Sequence, residues 1–294
     1  MTEENLLEQP VKPRLHVALR IFLYLLASII GMGIVQFTAF KLAGNSTKDL
    51  SMSTDFDALT SLLLELSGLI PVILITFVFR KYLDRKSFVS LGLSPKGRTG
   101  DFLLGLGVAI TLYALGSGIL ALSGNIEFSN HGIGFQTLLI SFVSFIGVAI
   151  MEELIVRGYI LNNLLSVTNK YLALLISSAI FAAMHGFNPG LSWLAILNLL
   201  IAGVLLGAAY IFTRNLWFAM SLHLFWNFIE GPILGYRVSG NSTESLFSAT
   251  PVGNPVLNGG EFGFEGSVVC TLLCIALALA IILYYQKKES KITA

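Results

Sequence analysis

The chain has 294 residues, of which 55% are hydrophobic and 12% charged, with a mean hydropathy of +0.79. Soluble domains carry about 25% charged residues, so this composition excludes an ordinary soluble domain and points to a polytopic membrane protein. The formal net charge of +1 gives no basic footprint for nucleic acid.

Residues 1–13 are polar and hold Glu3, Glu4 and Glu8, and the first apolar run behind them is long enough to span, so no cleavable signal peptide is expected. A transmembrane helix needs about 20 mostly apolar residues. Eight stretches qualify, at roughly 20–40, 58–79, 102–122, 135–158, 171–187, 190–212, 215–234 and 267–286. The expected fold is therefore all-α, a polytopic integral membrane bundle of about eight transmembrane helices. A tail over 1–19 precedes a single bundle over 20–286, with a core at about 100–234, and a second tail covers 287–294. The fifth to seventh stretches are closely linked, which leaves room for a re-entrant piece.

Charge sets the orientation. The segment from Arg80 to Arg98 holds six Lys or Arg and one Asp, and such an excess marks a cytoplasmic loop. Eight spans then place both termini in the cytoplasm, with fourteen basic residues inside and three, Lys41, Lys48 and Arg237, outside. The loop at 235–266 is rich in Gly, Asn, Ser and Thr and reads as a solvated linker; the alternative for its end, "NGGEFGFEGS", is an ordered turn before the last helix. Asn45-Ser-Thr and Asn241-Ser-Thr match a short glycosylation sequon that recurs by chance. Cys270 and Cys274 lie four apart in an apolar run and read as buried thiols, neither a disulfide framework nor a metal pair.

Five ionisable residues sit at membrane depth: Glu152, Glu153, Arg157, His185 and His223. A charge at mid-bilayer costs about 2.5–3.5 kcal/mol on insertion scales, so such residues persist where they pair or where they work. Glu153 and Arg157 are four apart on one helix, the spacing of an internal ion pair. Glu152 lies about 100° round the helix from Glu153 and has no basic residue at pairing distance. A hairpin turning near 166–170 brings Glu152 and His185 to similar depth on neighbouring helices. His223 and Asn227 are four apart and share a face. Two chemistries fit. In one, Glu152 is a general base acting on water with His185, and His223 and Asn227 donate to an oxyanion. In the other, Glu152, His185 and His223 hold a divalent metal such as zinc with an open position for water. Neither histidine lies in an HExxH run, so the metal has no local motif and no cofactor is certain.

The three motifs "EELIVR" (Glu152, Glu153, Arg157), "FAAMH" (Phe181, His185) and "HLFWN" (His223, Asn227) match EExxxR, FxxxH and HxxxN. In this order on successive membrane helices, they resemble the CPBP family of intramembrane proteases. That family includes the type II CAAX prenyl endopeptidases and the bacterial Abi proteins linked to bacteriocin processing and immunity. "SFVSLGLS" at 87–94 is similar to the stretch that leads into the family's core. The resemblance implies a bacterial cell-membrane endopeptidase acting on a membrane-bound or amphipathic peptide or protein. In it Glu152 and His185 would activate water, and His223 and Asn227 would form the oxyanion site. Glu153, Arg157 and Phe181 would support the helix, with Glu153 and Arg157 near substrate. The family has been described both as metalloproteases and as glutamate-dependent. Two other readings compete: a non-catalytic scaffold or bacteriocin-immunity protein, and a proton-coupled carrier, for which Glu65 and Glu230 add intramembrane acids.

Overall fold

The computed structural model describes residue 13, residues 15–42 and residues 58–293. Most of the N-terminal tail, the Asn45 sequon and Lys48 lie outside the described residues. Helix α1 runs Val17–Leu42; α2 runs Ala58–Val78 and continues through a π turn, Phe79–Leu83. A 3-10 turn at Phe88–Leu91 leads to α3, Thr99–Leu122. Strand β1, Ile126–Asn130, precedes α4, Phe135–Glu153, which is prolonged by a π segment, Leu154–Leu161, and a closing turn, Asn162–Leu164. Helix α5 is Lys170–Met184, α6 is Trp193–Ala208, and α7 is Trp217–Phe228 followed by a π turn, Ile229–Ile233. Strand β2, Phe247–Pro251, and α8, Val268–Thr293, complete the chain.

The architecture is a helical membrane bundle. Among the described residues six helical stretches are long and apolar enough to cross a membrane: Val17–Leu42, Leu62–Leu83, Thr99–Leu122, Phe135–Leu164, Trp193–Thr213 and Val268–Lys291. Eight spans are thus not confirmed by length and composition among the described residues. The fifth and seventh helices occur where the sequence places them, but both are short. Helix α5 has 15 residues, about 22 Å at 1.5 Å per residue, against a hydrocarbon core of about 30 Å. It ends at His185. Helix α7 has 12 residues before Pro232 and the π turn interrupt it.

Local sequence explains the boundaries. Asn169 caps α5, its Oδ1 accepting from the Tyr171 and Leu172 amides at 3.1 and 2.9 Å. Ser192 caps α6 by accepting from the Ala195 amide at 3.1 Å. Helices pack closely where small residues face each other, as is usual in membranes. A Cβ at Gly203 on α6 would lie 2.8 Å from the Ser178 Cβ on α5, so this contact admits glycine only. The outward faces of α1, α2 and α8 carry exposed Phe22, Ile29, Ile34, Leu63, Leu74, Leu272 and Leu283, which suits lipid. In contrast, all eight residues of the π segment Leu154–Leu161 are buried, which puts this part of α4 on the axis of the bundle.

One end of the bundle is locked by charge. Asp84 accepts from Arg20, from Arg80 at 3.0 Å and from Asn163 Nδ2 at 3.2 Å, tying the ends of α1, α2 and α4 together. Tyr24 stacks on Tyr159 beside them, ring centroids 3.9 Å apart. The segment 87–94 belongs to the same end: the Leu91 carbonyl accepts from the Tyr210 hydroxyl at 2.9 Å, and the Ser94 carbonyl accepts from Trp217 Nε1 at 3.1 Å.

The opposite end is closed by residues 235–267, and here the linker expectation fails. β1 and β2 pair antiparallel from Ile126↔Pro251 to Asn130↔Phe247. Phe262 and Phe264 are fully buried. Glu265 Oε2 accepts from the Ser239 amide and hydroxyl, both at 2.7 Å, and Oε1 accepts from Trp226 Nε1 at 2.8 Å. Asn198 on α6 donates to the Glu265 and Ser267 carbonyls at 2.7 and 2.8 Å. Gly240 has φ +86°, and a Cβ there would overlap the Pro189 carbonyl, so the segment fits closely over the α5–α6 loop. Cys270 and Cys274 are buried free thiols, as expected.

The charge lock generates a prediction. Replacing Asp84 by Asn leaves two buried guanidiniums without their anion, and breaking a buried pair costs about 3–5 kcal/mol. Asp84→Asn should therefore lower the thermal midpoint in detergent well below that of Lys170→Gln, which removes the partly exposed Lys170–Glu289 pair.

Candidate active site

Helices α4, α5 and α7 present one group of side chains to a cavity of about 1280 Å³. Glu152 comes from the last turn of α4 before the π segment. Phe181 and His185 come from the end of α5, and His223 and Asn227 from successive turns of α7. Glu152, Phe181, His185, His223 and Asn227 all line the cavity.

Hydrogen bonds orient both imidazoles. His185 Nδ1 lies 2.9 Å from the Phe181 carbonyl oxygen. A carbonyl only accepts, so Nδ1 carries the proton, and in the neutral ring Nε2 presents a lone pair. His223 Nδ1 lies 2.8 Å from Glu153 Oε1 and is oriented in the same way. Both Nε2 atoms then face Glu152 Oε2, at 3.8 Å from His185 and 3.9 Å from His223. These gaps are too long for direct hydrogen bonds, and Glu152 Oε2 has no hydrogen-bond partner among the described residues. With His223 protonated its Nε2 donates, while Glu152 Oε2 and His185 Nε2 accept; a water molecule, with two protons to give and a lone pair to offer, matches that set.

Glu153 and Arg157 form the pair expected from their spacing, with Arg157 Nη1 at 2.7 Å from Glu153 Oε1. The pair is not isolated: the same oxygen also takes His223. Arg157 Nη2 donates to the Gly203 carbonyl at 3.0 Å, and its guanidinium lies 4.7 Å from the Phe181 ring centroid. The Phe181 ring in turn sits 4.7 Å from the His185 ring and 6.1 Å from that of His223. Glu153 and Arg157 are both 0% exposed. They hold the wall behind the site. Asn227 is buried at the cavity edge and makes no side-chain hydrogen bond among the described residues, which leaves its amide free for a ligand.

Glu152, His185 and His223 have the donor types of a zinc set, and their Nδ1 partners are those typical of ligating histidines. The spacing is a poorer fit. Two ligands bound tetrahedrally at about 2.0–2.1 Å from zinc lie about 3.4 Å apart, closer than the gaps observed. Among the described residues no group of three or more His, Cys, Asp or Glu reaches metal-holding geometry. The arrangement as it stands does not fit a zinc ion.

Sequence reasoning counted Glu65 only as a proton-path acid. It is the single charged residue of α2, it lines the same cavity as Glu152, and its Oε2 has no hydrogen-bond partner among the described residues. A lone acid in an apolar helix was the available signal, but nothing in its spacing ties it to α4. Glu230, the other acid of that set, is fully buried and forms no part of the cavity wall.

Residues 134–229 match the family described as type II CAAX prenyl endopeptidase Rce1-like. The match supports the resemblance carried by the three motifs, and it contains all seven motif residues; Glu65, the 87–94 segment and the 235–267 segment lie outside it. No curated protein and no solved structure matches the chain.

The two adjacent glutamates should behave oppositely when neutralised. Glu153→Gln weakens the hold on Arg157 and His223, with a cost of the order of 3 kcal/mol for a broken buried pair. Glu152→Gln removes a charge whose Oε2 has no hydrogen-bond partner among the described residues. Thermal melts of the purified protein should show a large fall for Glu153→Gln and little or none for Glu152→Gln.

Proposed function

We propose that this chain, Rce1-like over residues 134–229, is an intramembrane endopeptidase that hydrolyses a peptide bond in a membrane-associated protein or peptide. The observation that carries the reading is the convergence of His185 Nε2 and His223 Nε2 on the unpartnered Glu152 Oε2. Orientation follows from charge, with both termini and the Arg80–Arg98 loop on the cytoplasmic side of a bacterial cell membrane.

In this mechanism Glu152 takes a proton from water held between its carboxylate and His185 Nε2. The water oxygen attacks the scissile carbonyl carbon. His223, in its protonated form, donates from Nε2 to the developing oxyanion while Glu153 keeps hold of Nδ1. The Asn227 amide donates alongside. The tetrahedral intermediate collapses as the C–N bond breaks, and the proton held by Glu152 passes to the leaving nitrogen. The products are a new carboxylate and a new amine, and Glu152 is returned as carboxylate. Each group is held by the protein before substrate arrives, which is what makes such donors effective.

The test compares peptide termini in membranes of cells carrying the wild type or Glu152→Gln. Termini dependent on Glu152 should fall at least about 10²-fold, the usual scale for a lost general base. Asn227→Ala should reduce them by about 10²–10³-fold, the scale of one oxyanion donor. Unchanged termini in a folded Glu152→Gln protein would support the scaffold or immunity reading instead. With the purified enzyme, prolonged chelation should leave the activity unchanged, whereas loss on chelation and recovery with zinc would favour the metal set Glu152, His185 and His223.

A further inference from the structure

Helix α2 carries one charged residue, Glu65. Its Oε2 is buried and takes no hydrogen bond among the described residues. The charged group that acts on it is a second acid, Glu152, which repels it. Glu153, the buried acid of α4, is held by Arg157 and His223, and Glu265 accepts from Ser239 and Trp226. Glu65 has no such donors among the described residues. An uncompensated acid in a membrane helix is costly and marks a place where something binds or moves.

Glu65 and Glu152 line the same cavity. Its wall on α4 is the stripe Ser141, Ser144, Phe145, Val148 and Glu152. These residues share one helical face, about 16 Å long at 1.5 Å per residue. An extended peptide of about five residues, at about 3.3 Å each, matches that length. Glu65 lies part-way along it. A Cβ at Gly147 would stand 3.1 Å from Leu66 Cδ2, which sets the α2 acid near the level of Gly147. From there to Glu152 is about 7.5 Å of helix rise, or about two to three residues of extended chain. Arg237 is the single Lys or Arg among the described lining residues; it is exposed and bonds the Gly240 carbonyl of its own loop at 3.3 Å. The wall therefore brings no cation to Glu65.

We propose that Glu65 is a specificity-determining residue that receives a Lys or Arg side chain of the substrate, two or three residues from the scissile bond. This rests on the endopeptidase reading above and names its substrate class, a peptide with a basic residue close to the cut. An ammonium or guanidinium supplies the donor that Oε2 lacks and relieves the repulsion between two carboxylates in one cavity. Such a charge-assisted bond is stronger in a dry site than in water. A backbone amide would meet the hydrogen bond but leave the charge.

The test uses the full chain in detergent and a mixture of synthetic decapeptides randomised at every position, with cuts located by mass spectrometry. Cuts that vanish in Glu152→Gln should carry Lys or Arg at one fixed position, two or three residues from the new terminus. Single peptides that differ only there, Lys against Gln, should differ in kcat/KM by at least about 30-fold, the scale of a buried charged pair that loses one partner. Glu65→Gln should erase that ratio. Glu65→Lys should invert it in favour of Glu, which a purely structural role for Glu65 does not produce. Binding is read separately, by retention of the same mixture on immobilised Glu152→Gln protein. The retained peptides should be rich in Lys and Arg, and with Glu65→Lys added they should be rich in Asp and Glu. Glu152-dependent cuts without charge preference overturn the proposal and leave the endopeptidase reading intact; this outcome needs only the wild type and the Glu152 variant. Basic peptides retained but none cut would sink the endopeptidase reading and keep Glu65 as the cation-binding group. Neither cutting nor charge-selective retention overturns both.

Discussion

One carboxylate oxygen holds the centre of this molecule together. Glu153 Oε1 is shared by Arg157 and His223 at 2.7 and 2.8 Å, with the acid and the arginine fully buried. An isolated buried carboxylate would cost several kcal/mol; two charge-assisted donors offset that. The interaction joins α4 to α7 through His223 and, through the Arg157 bond to Gly203, to α6. Phe181 brings in α5, its ring under the guanidinium and its carbonyl on His185. Four helices are thus referenced to a single atom, and Glu152 is the neighbour left over.

Much of this could be read in the chain itself. The Glu153–Arg157 spacing predicts the pair, and the hairpin turn predicts the depth match of Glu152 and His185, which lie 3.8 Å apart. What could not be read is the second use of Glu153. His223 is 70 residues further on, and a pair that looks complete on its own helix gives no sign of a third member. Glu65 was missed for the same reason, since its relation to Glu152 exists only after α2 packs on α4.

The shortness of α5 and α7 and the order of the closing segment were not legible for a different physical reason. Hydropathy registers how apolar a stretch is, and α5 and α7 are predominantly apolar. It does not register that α5 stops at His185 because the chain must turn at the site, or that Pro232 and a π turn break α7. In 235–267, small and polar residues look like solvent-exposed chain. Their polar groups are instead consumed internally, by Glu265 on Ser239 and Trp226 and by Asn198 on two carbonyls. Phe262 and Phe264 supply the apolar contacts that a linker lacks.

The π segment Leu154–Leu161 separates the two anchored parts of α4, Glu152–Glu153 above it and Asn162–Asn163 below. A π turn holds one residue more than an α turn, so the segment fixes the rotation of one anchor relative to the other. It behaves as a length gauge. Apolar exchanges within it leave the gauge unchanged, but loss or gain of a single residue would turn the upper anchor by about 100°. The charge lock at the basic end would remain, and the glutamates would face the wrong helices. For the apolar residues of this stretch, number is under tighter constraint than identity.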